Sequence, residues 1–426
     1  MSTVRVSAPT GAANPAGLRA RYVEVRRQTE ALCRPLAVED YVIQSMPDVS
    51  PPKWHLAHTT WFFETFLLRP YAARYSVFHP QYDFLFNSYY QTVGSPYPRA
   101  QRGLLARPTV EEIYRYRAHV DGAMTELLGH CRAENAQAVS ARATLGLHHE
   151  QQHQELLLTD IKHIFALNPL RPAYRPSTDT ASATAAPLRW LECAGGMHEI
   201  GYGGDDFAFD NETSRHRTYL ENFRLGSRLV TNGEYLAFMA DDGYERPELW
   251  LSDGWRDVNE QKWRAPLYWE QQDGDWWMYT LAGMRPVRSD APVCHVSLYE
   301  ADAYARWAGK RLPTEAEWET AAANLPVAGN FCEAGRLHPA PATGAGASQF
   351  FGDVWEWTAS DYAPYPGYRP LPGALGEYNG KFMCNQRVLR GGSCASPQSH
   401  LRATYRNFFY PPTRWQFAGI RLADSA

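Results

Sequence analysis

Between Asn168 and Pro187 the chain carries four prolines in a run otherwise rich in Ser, Thr and Ala. Such a stretch holds too little apolar area to offset the entropy of ordering it, so it reads as a linker and forces the rest to fold as two bodies. At 426 residues the length suits two domains better than one core. The spacing of apolar residues also changes there. Before the linker it is helical; after it, short strand-like pieces alternate with Gly, Asp and Pro turns. The expected organisation is a frayed leader over 1–17, a helical bundle over 18–167, the linker over 168–187 and an α+β domain over 188–426.

Four helices are expected in the first body. Arg19 to Leu32 is amphipathic and ends at Cys33-Arg34-Pro35. Ser50 as N-cap with Pro51 or Pro52 in the first turn opens a second, running to about Leu68, on which Trp54, His58, Trp61 and Phe62 share a face. A long irregular connection, Arg69 to Arg107, precedes a helix opened by the Thr109/Glu112 capping box. The last runs from about Val139 to Leu167. Four helices with a long middle connection read as a bundle, whose interior commonly holds metal sites. In the second body, Ser297 with Glu300 and Thr314 with Glu317 cap two further helices.

Composition narrows the function. The formal net charge of -4 (42 basic minus 46 acidic) gives no global case for nucleic acid. Met1 to Ala20 lacks the continuous apolar core of a signal peptide, and no run of about twenty apolar residues suggests a membrane span. Seven cysteines without a CxxC pair suit free buried thiols in a reducing cytoplasm. Aromatic residues reach 13%, enough for large cores or for a pocket that receives an organic cation. The sequence leaves the oligomeric state open.

The chemistry concentrates in Leu147-His148-His149-Glu150-Gln151-Gln152-His153-Gln154-Glu155. His149 and His153 are four apart, so on a helix their imidazoles project from one face, one turn above the other. Read as letters, His149-Glu150-x-x-His153 is the zinc-peptidase string, with Glu150 as base. No third ligand follows in the extended form of that motif, since Leu156 and Thr159 stand at the relevant positions. His163 would lie roughly 15 Å along the helix axis, too far to share an ion. His58, on an apolar helix upstream, is the better third ligand. Three neutral imidazoles leave a divalent ion its charge and open positions, which an anionic ligand such as a thiolate would fill. Zinc and a redox metal both fit that set.

Leu56-Ala57-His58 followed by Trp61-Phe62-Phe63-Glu64, with the later His149, His153 and Glu155, resembles the DinB-like bundle of the ergothioneine-biosynthetic sulfoxide synthases. The second body resembles a formylglycine-generating-enzyme domain, a variant of the C-type lectin fold. Its marks are Val230-Thr231-Asn232-x-Glu234-Tyr235, Leu249 to Trp255, Gly309 to Glu319, Gly352 to Trp357 and Leu389-Arg390-Gly391-Gly392-Ser393. Formylglycine generation itself is disfavoured, because Cys394 stands alone where that activity needs a cysteine pair.

The resemblance implies non-haem Fe(II) held by His58, His149 and His153, and an oxygen-dependent joining of a thiol sulfur to C2 of the hercynine imidazole. It implies that Tyr89-Tyr90 assists oxygen activation and steers the outcome away from thiol dioxygenation. Another branch of the family places its tyrosine in the C-terminal domain. Arg99 and Arg102 are expected to grip a carboxylate, and Asn407 the carboxylate of hercynine. Gln152 is expected to face the same cavity, with Asp48 just ahead of the His58 helix. Phe408 and Phe409 are candidates for the trimethylammonium group, which has no proton to donate.

The branch using γ-glutamylcysteine carries an acidic residue soon after this Arg-Asn. Tyr405-Arg406-Asn407-Phe408-Phe409-Tyr410-Pro411 has none, so L-cysteine is the expected thiol. The alternatives are γ-glutamylcysteine, an ovothiol-type synthase acting on histidine, a zinc hydrolase using Glu150, and a non-enzymatic module on the lectin-like domain. In the iron reading Glu150 becomes an outward residue or one that supports the ligands from behind.

Overall fold

The computed structural model describes residues 15–176, 185–344 and 346–425. The expected leader therefore lies almost wholly outside the described residues, as does the middle of the expected linker. The chain divides into two compact units that do not follow chain order. The first takes the described residues up to Gln154 together with Tyr202–Ser214 and Arg369–Tyr378; the second takes Glu155–Gly201, Arg215–Tyr368 and Asn379 onward. Residues 168–176 pack on the second unit. Tyr174 is buried, and the amides of Tyr174 and Arg175 both donate to the Leu281 carbonyl.

The first unit is helical: α1 (Pro15–Cys33), α2 (Pro52–Phe63), α3 (Val110–Gly129) and α4 (Ala136–Leu167), of which residues through Gln154 belong to this unit. All twelve residues of α2 are buried, Lys53, His55, His58, Thr59 and Thr60 among them. Thr109 and Glu112 form the expected reciprocal cap on α3. Pro51, not Ser50, is the N-cap of α2. The Ser50 hydroxyl is taken instead by Arg102 Nη1, at 2.9 Å. Beyond α2 the helix widens into a π turn, Glu64–Leu68, where Glu64 accepts from the hydroxyls of Tyr75 and Tyr116. The middle connection opens on a helical turn, Arg69–Tyr71, and holds a short helix, Tyr82–Phe86, and a 3₁₀ segment, Arg99–Leu104.

The second unit is mixed. Its strands are β1 (Trp190–Cys193), β2 (Gly196–Ile200), β3 (His216–Leu220), β4 (Phe223–Gly226), β5 (Trp269–Gln272), β6 (Asp275–Thr280), β7 (Gly283–Pro286), β8 (Trp355–Asp361), β9 (Arg387–Arg390), β10 (Asn407–Phe409), β11 (Ala418–Gly419) and β12 (Ala423–Ser425). They make sheets of order β10-β9-β8-β11, β1-β4-β12, β5-β6-β7 and β2-β3. The pairings are antiparallel except β8 with β11. Helices α5 (Asn232–Ala240), α6 (Ser252–Gln261), α7 (Leu298–Trp307) and α8 (Glu315–Ala322) accompany them. Ser297/Glu300 and Thr314/Glu317 cap α7 and α8 as expected, and Thr231/Glu234 does the same for α5. This mixture bears out the two-part α+β expectation. No helix among the described residues is long and apolar enough to cross a membrane.

Candidate metal centre

α2 and α4 bring His58, His149 and His153 together, so that one ring nitrogen from each lies within 4.8 Å of the others. His58 Nε2 stands 3.2 Å from His149 Nε2, and the three ring centroids are 4.7 to 4.9 Å apart. His58 donates from Nδ1 to the Phe86 carbonyl at 2.6 Å, which leaves its Nε2 a bare lone pair. Trp54 stacks on the His58 ring at 4.5 Å, and Trp61 lies nearly parallel to it at 5.7 Å.

Burial, with the neighbouring His149, holds the His58 pKa well below its ordinary value. Burial brings His149 down to about 4 and, with His58 beside it, holds His153 well below the usual range. All three are therefore neutral near pH 7, the form in which imidazole binds a metal. Two nitrogens 3.2 Å apart lie at the separation of neighbouring donors sharing one ion through bonds of about 2.1 Å. The residues fit a single divalent ion with three protein ligands and positions left over.

Glu150 points elsewhere. It is fully buried; Arg26 Nη1 reaches Oε2 at 2.8 Å, while Arg117 Nη2 and the Thr29 hydroxyl reach Oε1 at 3.0 and 2.6 Å. Burial alone would raise its pKa, but Arg26 and then Arg117 hold the carboxyl down at about 2. Glu150 is thus neither outward nor available as a base. It turns about 100° around α4 from His149 into an ion-paired knot joining α1, α3 and α4.

The Tyr89-Tyr90 pair lies in the same unit. Tyr90 packs against Trp61 and Phe66, and Tyr89 stacks on Tyr378 at 5.3 Å. The Tyr378 hydroxyl donates to Gln152 Oε1 at 3.3 Å, on the helix that carries His149 and His153. Burial keeps Tyr89 and Tyr90 protonated far above neutral pH and pushes Tyr378 up to about 12. Sequence reasoning missed Tyr378 and its neighbour Glu377. Glu377 accepts from the amides of Gln91 and Thr92 and from the Thr92 hydroxyl. Nothing local marks either residue, since they sit in an irregular Gly- and Pro-containing stretch. Missed too was His55, three residues before His58, whose signal was a second histidine on the same largely apolar helix.

Arg102 is buried with its guanidinium 3.3 Å over Trp54, and it depresses the pKa of both His58 and His153 from nearby. Arg99 is exposed and donates to the Asp48 main-chain carbonyl; the Asp48 side chain is itself exposed. Asn407, Phe408 and Phe409 belong to the second unit, on β10. There Phe408 stacks on Tyr362 at 4.1 Å and Phe409 meets Trp415 edge-on.

Comparison with known proteins agrees with this build. Residues 21–157 match the DinB superfamily, and residues 189–337 and 335–426 match the sulfatase-modifying factor enzyme 1-like domain. A hercynine oxygenase of Mycolicibacterium smegmatis is 33% identical over 425 residues, covering 89% of this chain and 92% of that protein. One from Mycobacterium tuberculosis is 32% identical over 420 residues, covering 88% and 91%. A formylglycine-generating enzyme of Streptomyces coelicolor is 30% identical over 270 residues, covering 52% and 84%. The helical bundle with three clustered histidines, joined to this second domain, defines a class of two-domain oxygenases. Within it, the chain belongs to the ergothioneine sulfoxide synthase family.

Proposed function

We propose that the chain is an Fe(II)- and O2-dependent sulfoxide synthase that joins the sulfur of L-cysteine to C2 of the hercynine imidazole, giving hercynylcysteine sulfoxide. The observation that carries this reading is the cluster of His58, His149 and His153 beside a Glu150 committed to two arginines. Without a free carboxylate in the motif, the zinc-hydrolase reading has no base. The reaction loses the imidazole C2–H and the thiol S–H. One atom of O2 ends on sulfur and the other leaves as water.

Iron bound to the three histidines would supply oxygen activation and a cationic seat for the thiolate. The chain's own groups do the rest. Arg102, with the exposed Arg99 beside it, is assigned to the cysteine carboxylate through its fork of donors. Tyr89 and Tyr90 stay protonated, which suits donation of a proton rather than its removal. For hercynine, Asn407 is assigned to the carboxylate and Gln152 to a polar contact, and the trimethylammonium charge, which takes aromatic faces or a carboxylate, is assigned to Phe408, Phe409 and Asp48. The absence of an acidic residue from Asn407 to Pro411 supports cysteine over γ-glutamylcysteine. The seven free thiols suit a cytoplasmic enzyme.

The test is oxygen uptake after anaerobic reconstitution. Fe(II) enzyme should consume O2 only with hercynine and thiol together, cysteine being preferred to γ-glutamylcysteine, and Zn(II) enzyme should consume none. Uptake independent of hercynine would sink the proposal. Tyr89→Phe or Tyr90→Phe should shift product toward cysteine sulfinate; unchanged sulfoxide yield in both would remove their assignment.

A further inference from the structure

We infer that His55 is a positioning residue for His153, bracing that ring through the nitrogen that faces away from the ion. This rests on the three-histidine metal reading above.

His55 is buried on α2, one turn before His58. Its Nδ1 stands 2.9 Å from His153 Nδ1, with the ring centroids 5.2 Å apart and the planes inclined at 59°. One of these two nitrogens carries the proton between them. With His153 Nδ1 engaged by His55, Nε2 is the nitrogen left to face an ion. An imidazole that offers one lone pair to a metal keeps its proton on the other nitrogen. His153 is then the donor and His55 Nδ1 the acceptor, which places His55's own proton on Nε2.

The three ligands are held differently. His58 is fixed by a main-chain carbonyl, and His149 Nδ1 is buried with no hydrogen-bond partner. Among the described residues, only His153 is braced by another side chain, and α2 supplies it together with the ligand His58. The same helix therefore binds the ion directly and orients a ligand from α4. A brace of this kind commonly comes from a carboxylate or carbonyl. A neutral imidazole fixes the tautomer and the ring plane without placing a negative charge beside the ion. The ion's charge is then left for an anionic ligand from outside the protein, as a thiol-using site requires.

The test uses the full chain in metal-free form, titrated with Co(II) alone and followed by the visible absorption of the bound ion. His55→Gln and His55→Met fill similar volume, but only glutamine offers an acceptor to His153 Nδ1–H. His55→Gln should bind within a few-fold of wild type with a similar spectrum. His55→Met should bind about 10- to 100-fold more weakly, with altered absorption bands. Wild-type affinity and spectrum in both variants would overturn the inference, and so would equal weakening in both, which would reduce His55 to packing. Melting of the metal-free proteins guards against an unfolded variant, and the Gln/Met contrast holds wherever both fold. His58→Ala separates the two levels. If it binds Co(II) as wild type does, the metal reading itself fails; if it does not and His55→Met does, only the positioning role fails.

Discussion

Glu150→Gln distinguishes the two chemistries that the string His149-Glu150-x-x-His153 permits. In the folded chain Glu150 receives Arg26 Nη1, Arg117 Nη2 and the Thr29 hydroxyl, and none of these four groups is exposed. Glutamine keeps the size but removes the charge and turns an N–H toward a guanidinium. Removing one partner from a buried ion pair costs about 3–5 kcal/mol. The carboxyl's fall from 4.5 to about 2 gives a similar figure, roughly 3 kcal/mol at 1.36 kcal/mol per pH unit. For a unit of this size the loss corresponds to a melting temperature lower by roughly 6–20 °C. The sign with pH follows from the direction of the shift. Because the folded pKa lies below the unfolded one, the stabilisation is present in full above pH 4.5 and is lost as pH falls toward about 2. Wild type and Glu150→Gln should thus differ most near neutral pH and converge in acid. Circular-dichroism melts across that range, with Co(II) affinity at pH 7, test this. A variant that melts like wild type and binds metal normally, yet has lost all turnover, would refute the reasoning and return Glu150 to the role of base.

Two further outcomes follow from the packing of the same unit. A Cβ at Gly146 would meet Phe63 Cε1 at 2.7 Å and Phe62 Cε1 at 2.8 Å, so Gly146→Ala should cost about 1–3 kcal/mol through overpacking. Since the Phe62 ring lies 4.8 Å from that of His149, Co(II) binding should weaken along with the melting temperature, and an unchanged titration would show that the rings yield instead. Glu377→Ala removes the carboxylate that receives the Gln91 and Thr92 amides. Those two amides should exchange with deuterium faster while the core of α2 is unaffected, and Tyr378 should lose its fixed stack on Tyr89; unchanged exchange would show that the loop holds itself.

What the sequence made legible is what short-range chemistry decides. Prolines and reciprocal caps are local, so the Thr109/Glu112, Ser297/Glu300 and Thr314/Glu317 helix starts could be read directly, and Thr231/Glu234 carries the same spacing. Ser50 has the same local credentials, but its hydroxyl is claimed by Arg102 from 52 residues away. The aromatic surroundings of Tyr89 escaped for the same reason. Glu377, which pins the Tyr89-Tyr90 loop, is 286 residues distant from Gln91, and no periodicity connects them.

The metal string shows both sides. Its i, i+4 spacing sets two imidazoles on one face of α4 whatever surrounds them. The direction of the glutamate between them depends on partners that the string does not contain. On a helix Glu150 sits a quarter turn or so from His149, free to serve a bound water or to enter the next interface. Arg26 and Arg117, arriving from α1 and α3, decide that choice: each also meets a second, partly exposed carboxylate, Asp121 or Glu30, but Glu150 is the fully buried one that both share, and leaving it unpaired would be costly. In this chain, then, basic residues on the neighbouring helices reach the motif's glutamate and commit it to ion pairs, while the two histidines that flank it join His58.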